Sequence, residues 1–201
     1  MFIDLNIAIL ILAAGESKRM GTPKQLLKWN NTTLLGHTIQ TSEELNLKTF
    51  VVLGANFETI KASFRHHDIQ IIKNKNWKNG LGSSIAFGAK HIINFEPDID
   101  ALLIMLADQP LISSEYLSSM ISEFKKGKNK IAASSYKDGK KGVPALFDKI
   151  YFKELTQVSN DKGAKLLIEK NIKNVVLLNA ESVVSDIDTL EDYQQLYMNN
   201  H

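Results

Sequence analysis

No cysteine occurs anywhere in the 201 residues. That absence removes a disulfide framework, a zinc–thiolate or iron–sulfur site and a cysteine nucleophile from consideration. An excess of charge of one sign is also missing. Lys and Arg number 24 against 22 Asp and Glu, a formal net charge of +2. Such a small excess gives no electrostatic case for nucleic acid as a partner, and the lysine-rich stretches near Lys125–Lys130 and Lys137–Lys141 read as solvated faces. Long hydrophobic runs are lacking. The apolar stretch from Ile7 to Ala14 is too short to span a bilayer, and Asp4 rather than a basic segment precedes it, so it reads as a buried strand and not as a signal peptide. The expectation is a cytoplasmic protein with no membrane partner. There is no long linker, internal repeat or low-complexity segment, and one domain over residues 1–201 is the simplest organisation.

What is present is a regular alternation. Ile7–Ala13 is almost continuously apolar, as a parallel strand covered on both faces would be. Lys48–Leu53 and Ala101–Leu106 repeat the pattern, with Gln70–Lys73, Ile131–Ser135 and Val175–Leu178 as shorter candidates. Helical spacing falls between them, at Leu34–Leu45, Phe57–Phe64, Ser83–Ile93, Ser114–Lys126, Ile150–Leu155, Ala164–Glu169 and Leu190–Tyr197. Thr189-Leu190-Glu191-Asp192 has the form of a capping box opening the last helix. Alternation of this kind predicts an α/β fold, three layers deep, with a mainly parallel sheet. Ligands of open α/β sheets sit beyond the carboxyl ends of the strands. Ala14–Lys24, Gly54–Asn56 and Asp108–Pro110 fall at such ends.

The first strand runs into Leu12-Ala13-Ala14-Gly15-Glu16-Ser17-Lys18-Arg19-Met20-Gly21-Thr22-Pro23-Lys24. Small residues let a backbone approach a ligand, and successive free N–H groups can cradle phosphate oxygens. Arg19 and Lys24 add cationic donors suited to a polyphosphate. A surface loop with ordinary solubilising charge is the competing reading. The loop is not a Walker A motif, because Met20 stands where the second glycine belongs, and Gly15 and Gly21 lack the spacing of a dinucleotide fingerprint.

From Leu12 to Leu27 the chain reads Leu-Ala-Ala-Gly-x-Ser-x-Arg-Met-Gly-x-Pro-Lys-x-Leu-Leu. This run resembles the signature of the MobA-like nucleotidyltransferases of the GT-A-like superfamily, and Pro-Lys-Gln-Leu-Leu resembles their molybdenum cofactor cytidylyltransferase branch. Later segments resemble further landmarks: Asn76–Ser84 a nucleotide-base loop, Leu106–Pro110 a metal and acceptor segment, Gly142–Phe147, Asp161–Lys165 and the final Asp186-Ile187-Asp188-Thr189. Three positions depart from the pattern. Leu190 replaces a proline, Lys165 an arginine, and Val143 a polar residue at the acceptor site.

The resemblance implies a Rossmann-like, nucleotide-diphospho-sugar-transferase type of fold. It also implies a Mg²⁺-dependent enzyme that transfers CMP from CTP to the phosphate of a molybdopterin-type acceptor, with a molybdoenzyme or its chaperone as recipient. GTP, or a sugar or alcohol phosphate, is the alternative within the class; a non-catalytic nucleotide- or cofactor-holding chaperone is the alternative outside it. Such a transfer brings together reactants of like charge, so charge neutralisation and positioning dominate. Lys24 and Arg19 would neutralise the triphosphate. The resemblance assigns Leu12, Ala13, Ala14, Gly15, Gly82, Ser83 and Ser84 to the nucleotide, and Gln109, Pro110, Gly142 and Pro144 to the acceptor. Asp108, just past an apolar strand, is the best metal ligand on sequence alone, although it could cap the helix that follows. Asp188 is carried over as its partner, with Asp186 as competitor. Gly82-Ser83-Ser84 could equally be a plain helix cap. His37, His66, His67 and His91 receive no ligand role, Trp77 is expected to anchor its loop by packing, and Phe147 to lie in the core.

Overall fold

The computed structural model describes residues 5–64, 68–126, 130–137, 139–159, 163–181 and 186–201. His66, His67 and the Asp161-Lys162 landmark lie outside the described residues. In chain order the elements are β1 (Ile7–Ala13), β2 (Lys28–Trp29), β3 (Thr32–Thr33), α1 (Leu34–Glu43), β4 (Lys48–Leu53), α2 (Phe57–Lys61), β5 (Gln70–Lys73) and α3 (Leu81–Phe95). They continue with β6 (Ala101–Leu106), α4 (Ser114–Lys126), β7 (Ile131–Ser135), β8 (Lys141–Asp148), α5 (Phe152–Leu155), α6 (Lys165–Lys170), β9 (Val175–Asn179) and α7 (Leu190–Asn200).

Seven strands form one sheet in the order β5-β4-β1-β6-β8-β7-β9, and β2 pairs with β3 in a separate ribbon. Within the large sheet β8 alone runs against its neighbours β6 and β7, and the other pairings are parallel. All seven residues of β1 are buried, because the two faces of the strand serve two different core layers. Ala8, Leu10 and Leu12 pack with Ile85, Ala89 and Ile92 of α3. Ile7, Ile9 and Ile11 pack with Leu35 and Ile39 of α1, Ile60 of α2, and Leu117 and Met120 of α4. The period-2 alternation of a strand thus produces the three-layer α/β/α sandwich expected from the sequence. No described helix is long and apolar enough to cross a membrane.

Two elements were not expected. The ribbon β2–β3 has only two residues in each strand and carries no periodic signal. β8 contains Gly142 and Pro144, which argue against a strand interior. Pro144 is tolerated because the β7–β8 register shifts there, from Ala133 opposite Ala145 to Ser134 opposite Gly142. A bulge leaves a residue that needs no ladder hydrogen bond. The antiparallel direction of β8 also places Gly142 and Val143 at the carboxyl end of the parallel strands.

The last helix begins as expected. Thr189 Oγ1 accepts from the Asp192 N–H (3.1 Å), and the Asp192 carboxylate accepts from the Thr189 N–H (2.8 Å). Tyr193, Leu196 and Tyr197 of α7 pack on a small cluster of Met20, Trp29, Leu34 and Ile187. This cluster fastens the segment before α7 to the loop after β1.

Candidate active site

The site is assembled where three chain segments meet at the carboxyl end of the sheet. The Ala107 N–H donates to Leu12 O (3.2 Å), joining the ends of β1 and β6. The Ile187 N–H donates to Asp108 O (3.1 Å), bringing in the segment before α7. After β1 the chain turns through Ser17 and Gly21, both with positive φ (58° and 67°). That turn returns Lys24 to the loop, where its N–H donates to Ser17 Oγ (3.1 Å).

Lys24 is the hub. Its ammonium is paired with Asp108 Oδ2, donates to Ile187 O at 3.0 Å, and lies 3.8 Å from Asp188 Oδ1. Arg19 reaches the same Asp188 oxygen at 3.2 Å. The Lys24 and Asp108 side chains are only 19% and 15% exposed, so water screens their attraction far less than it screens the surface pairs. Asp108 does not cap α4; the Ser113 hydroxyl fills that role by accepting from the Tyr116 N–H (3.3 Å).

The residues fit a divalent ion. Asp108 Oδ1 is buried and has no hydrogen-bond partner among the described residues. The Lys24 ammonium between Asp108 and Asp188 marks where a positive charge is stabilised. Among the described residues no group of three or more acidic or imidazole side chains forms a cage. Asp186 is placed differently. Its Oδ1 accepts from Gln109 Nε2 (2.8 Å). Burial pushes its carboxyl above the usual range, and the charges of Asp108 and Asp188 push the same way.

Beside this cluster opens a cleft of about 410 Å³, lined by Leu12–Lys18, Lys24, Gln25, Trp77, Lys78, Gly80, Leu81, Ser84 and Leu106–Asp108. Its volume lies in the range of small-molecule sites. One wall is the start of α3. Gly80, with φ of 89°, lets the chain turn sharply into the helix, so Gly80, not the Gly82-Ser83-Ser84 run, occupies the cap position. The start of α3 meets the cleft through Gly80, Leu81 and Ser84, and a helix N-terminus favours anions. Another wall is Trp77, pressed against Gly54, where an added Cβ would come within 2.5 Å of Trp77 Cβ. Trp77 therefore packs, as expected, and also lines the cleft.

Of the residues assigned to the nucleotide, Leu12, Ala13, Ala14, Gly15, Lys24 and Ser84 line the cleft; Arg19, Gly82 and Ser83 do not. The Ser83 hydroxyl donates to Asn76 O (3.0 Å) and accepts from the Asn74 amide (3.4 Å). Ser84 Oγ accepts from the buried Asn74 amide (3.1 Å). The residues assigned to the acceptor lie outside this cleft. Gln109, Pro110 and Pro144 are buried, with Pro110 O accepting from His37 Nε2 (3.0 Å) and Pro144 O from Ser134 Oγ (2.8 Å). Gly142 packs against Tyr136, whose hydroxyl bonds Val143 O. Burial raises the Tyr136 pKa, and the negative charge of Asp186 adds to the shift. Tyr136 and Gln25 had no part in the sequence reading. Gln25 stands inside the matched Pro-Lys-Gln-Leu-Leu run, which was its only signal.

Comparison with known proteins follows the same lines. The family model described as "MobA-like NTP transferase domain" matches residues 9–175. Nicotine blue oxidoreductase of Paenarthrobacter nicotinovorans is 30% identical over 198 residues, covering 93% of this chain and 94% of that protein. A probable molybdenum cofactor guanylyltransferase of Natranaerobius thermophilus is 29% identical over 125 residues, covering 61% of this chain and 57% of that one. Among solved structures, Rv0371c of Mycobacterium tuberculosis H37Rv superimposes with a TM-score of 0.84 at 27% identity, covering 98% of this chain and 100% of the other. A manganese complex of Rv0371c gives a TM-score of 0.79 at 26% identity, covering 96% and 98%.

Proposed function

Since the chain belongs to the MobA-like NTP transferase family, we propose that it acts as a single nucleotidyltransferase domain that moves CMP from CTP to the phosphate of a molybdopterin-type acceptor. The observation that carries the reading is the Lys24–Asp108–Asp188 cluster at the edge of a cleft walled by the Ala14–Lys18 loop. An acceptor phosphate oxygen attacks the α-phosphorus, the bond from that phosphorus to the bridging oxygen breaks, and pyrophosphate leaves with the negative charge. Lys24 and Arg19 balance that charge, and the loop backbone with Ser84 holds the nucleotide in line. A divalent ion, for which we take Mg²⁺, would be held by Asp108 and Asp188 and would neutralise charge at the α-phosphate. The manganese complex of Rv0371c supports a divalent ion. Asp188 is preferred to Asp186 because it shares Lys24 with Asp108, while Asp186 is engaged by Gln109. The acceptor would approach from the Gln109, Gly142 and Tyr136 side, and such a reaction belongs in the cytoplasm, where nucleoside triphosphates are available.

The test is pyrophosphate release with CTP, GTP, ATP and UTP in Mg²⁺, with and without a pterin phosphate acceptor. Release from CTP that rises with the acceptor is expected. A preference for GTP would move the reading to guanylyl transfer, and no release with any triphosphate would sink it.

A second reading rests on the relative named as an oxidoreductase, which matches nearly the full chain. With no cysteine in the sequence, electrons would come from a bound reductant such as a reduced dinucleotide held in the same cleft. Dye reduction coupled to oxidation of a nicotinamide dinucleotide, without pyrophosphate chemistry, would favour it.

A further inference from the structure

Gln25 sits in the short 3-10 turn Lys24–Leu26 and is 2% exposed. Its Nε2 donates to Ala13 O and to Gly15 O, both at 2.9 Å. Two carbonyl partners identify that atom as the nitrogen, since an amide oxygen could not bond either. Both hydrogens of the amide are thereby used. Between them, Ala14 O accepts from the Ala55 N–H at 3.1 Å. Three successive carbonyls of the loop are therefore held by donors from elsewhere in the fold.

In a trans peptide the C=O and N–H point in opposite directions, and among the described residues the cis bond is at Val143–Pro144. The Ala13 carbonyl shares its peptide with the Ala14 N–H, and the Gly15 carbonyl with the Glu16 N–H. When one nitrogen draws both carbonyls together, those two N–H groups face away from Gln25. The loop that carries them lines the cleft, beside Gln25 itself. Gln25 Oε1, in contrast, is buried without a partner among the described residues. A side chain serving only to fill volume would avoid leaving an acceptor unsatisfied, so the contribution of this amide lies in its two donors.

We propose that Gln25 is a positioning residue of the nucleotide site: by holding the Ala13 and Gly15 carbonyls it presents the Ala14 and Glu16 N–H groups to the nucleotide before any ligand arrives. The turn that holds the loop through Gln25 also aims Lys24 at Asp108, so phosphate donors and carboxylates are set by one short element. Preorganised donors bind more tightly because less ordering remains to be done on binding. The proposal rests on the nucleotide reading of the cleft.

The test uses Gln25→Met, which keeps volume and removes both donors, and Gln25→Glu, which turns a carboxylate toward two carbonyls. Calorimetry with CTP and Mg²⁺ is paired with amide hydrogen exchange at residues 14–17 and thermal melting. Expected are a Kd increase of about tenfold or more and faster exchange at those amides in a folded Gln25→Met protein, with a larger Kd increase for Gln25→Glu. A Kd equal to that of the wild type overturns the role of Gln25, whether or not the melting temperature falls, and leaves the nucleotide reading standing. Wild-type protein that binds no nucleoside triphosphate overturns the nucleotide reading and this proposal with it.

Discussion

The Lys24 ammonium rests on the Asp108 carboxylate, covering one of its oxygens, while the other is buried without a partner among the described residues. Lys24 therefore lies against the carboxylate proposed to hold a divalent ion. It stands in for the charge that the two aspartates require.

If Asp108 also holds the proposed ion, Lys24 and that ion would share one carboxylate. Lys24→Ala is expected to bind Mn²⁺ more tightly than the wild type without nucleotide, although it loses activity. A partly buried pair worth about 1 kcal/mol corresponds to about fivefold in affinity. Titration followed by electron paramagnetic resonance checks this. Equal or weaker Mn²⁺ binding by Lys24→Ala would show that lysine and metal do not share the site.

Turnover should respond in the opposite direction. Lys24→Ala is expected to lower the rate of pyrophosphate release by roughly a hundredfold, because it removes a charge that offsets the leaving group. Near-normal turnover in a well-folded variant would remove Lys24 from the chemistry.

Asp108→Asn and Asp188→Asn keep shape and remove charge. Both are expected to lose most metal-dependent activity and Mn²⁺ binding with little loss of melting temperature. An aspartate that only capped a helix would show unchanged turnover and a stability loss of about 1 kcal/mol. If Asp188→Asn alone stays active, Asp186 becomes the second ligand.

Ser83 and Ser84 should part company. The Asn74 amide donates to both hydroxyls, but Ser84 lines the cleft while Ser83 does not and bonds Asn76 O instead. Ser84→Ala should raise the Kd for CTP several-fold, about what one hydrogen bond is worth, and Ser83→Ala should leave it unchanged. Calorimetry on both variants decides, and a larger effect at Ser83 would contradict the cleft geometry.

His37 provides a stability test. Burial lowers its pKa below 6.5 while Nε2 donates to Pro110 O beside the cluster. A depressed folded-state pKa means the unfolded chain takes up the proton first. The resulting stabilisation is full above pH 6.5 and is lost as pH falls from there toward the lowered folded value. His37→Gln, which keeps a donor for Pro110 O, should melt with a flatter pH dependence across that window. An identical slope would show that His37 does not titrate on unfolding.

Much of this was legible along the chain. β1, β4 and β6 fall where apolar runs predicted them, because strands buried on both faces leave little room for polar residues; β5 and β7 were found from shorter runs. The capping box at Thr189 formed because its donors and acceptors lie within one turn. Helix α2 ends at Lys61, earlier than its pattern implied, and α3 starts at Leu81 because the conformation of Gly80 admits the turn there. β8 was missed because Pro144 reads as a breaker, and only the register shift against β7 makes it compatible.

The sequence by itself determined the layered α/β architecture and the loop after β1, and it offered Lys24 and Asp108 as candidate site residues. Those follow from local periodicity and from residue types at the ends of strands. Only the tertiary structure decided which partners they have. That Lys24 lies between Asp108 and Asp188, 84 residues away from the first, that Asp186 pairs with Gln109, that Ser84 lines the cleft and Ser83 does not, and that Gln25 holds the carbonyls of Ala13 and Gly15 are facts of crossing chains. A parallel sheet brings distant strand ends to one edge, and side-chain direction there is set by packing and hydrogen bonding between segments, which no local pattern encodes.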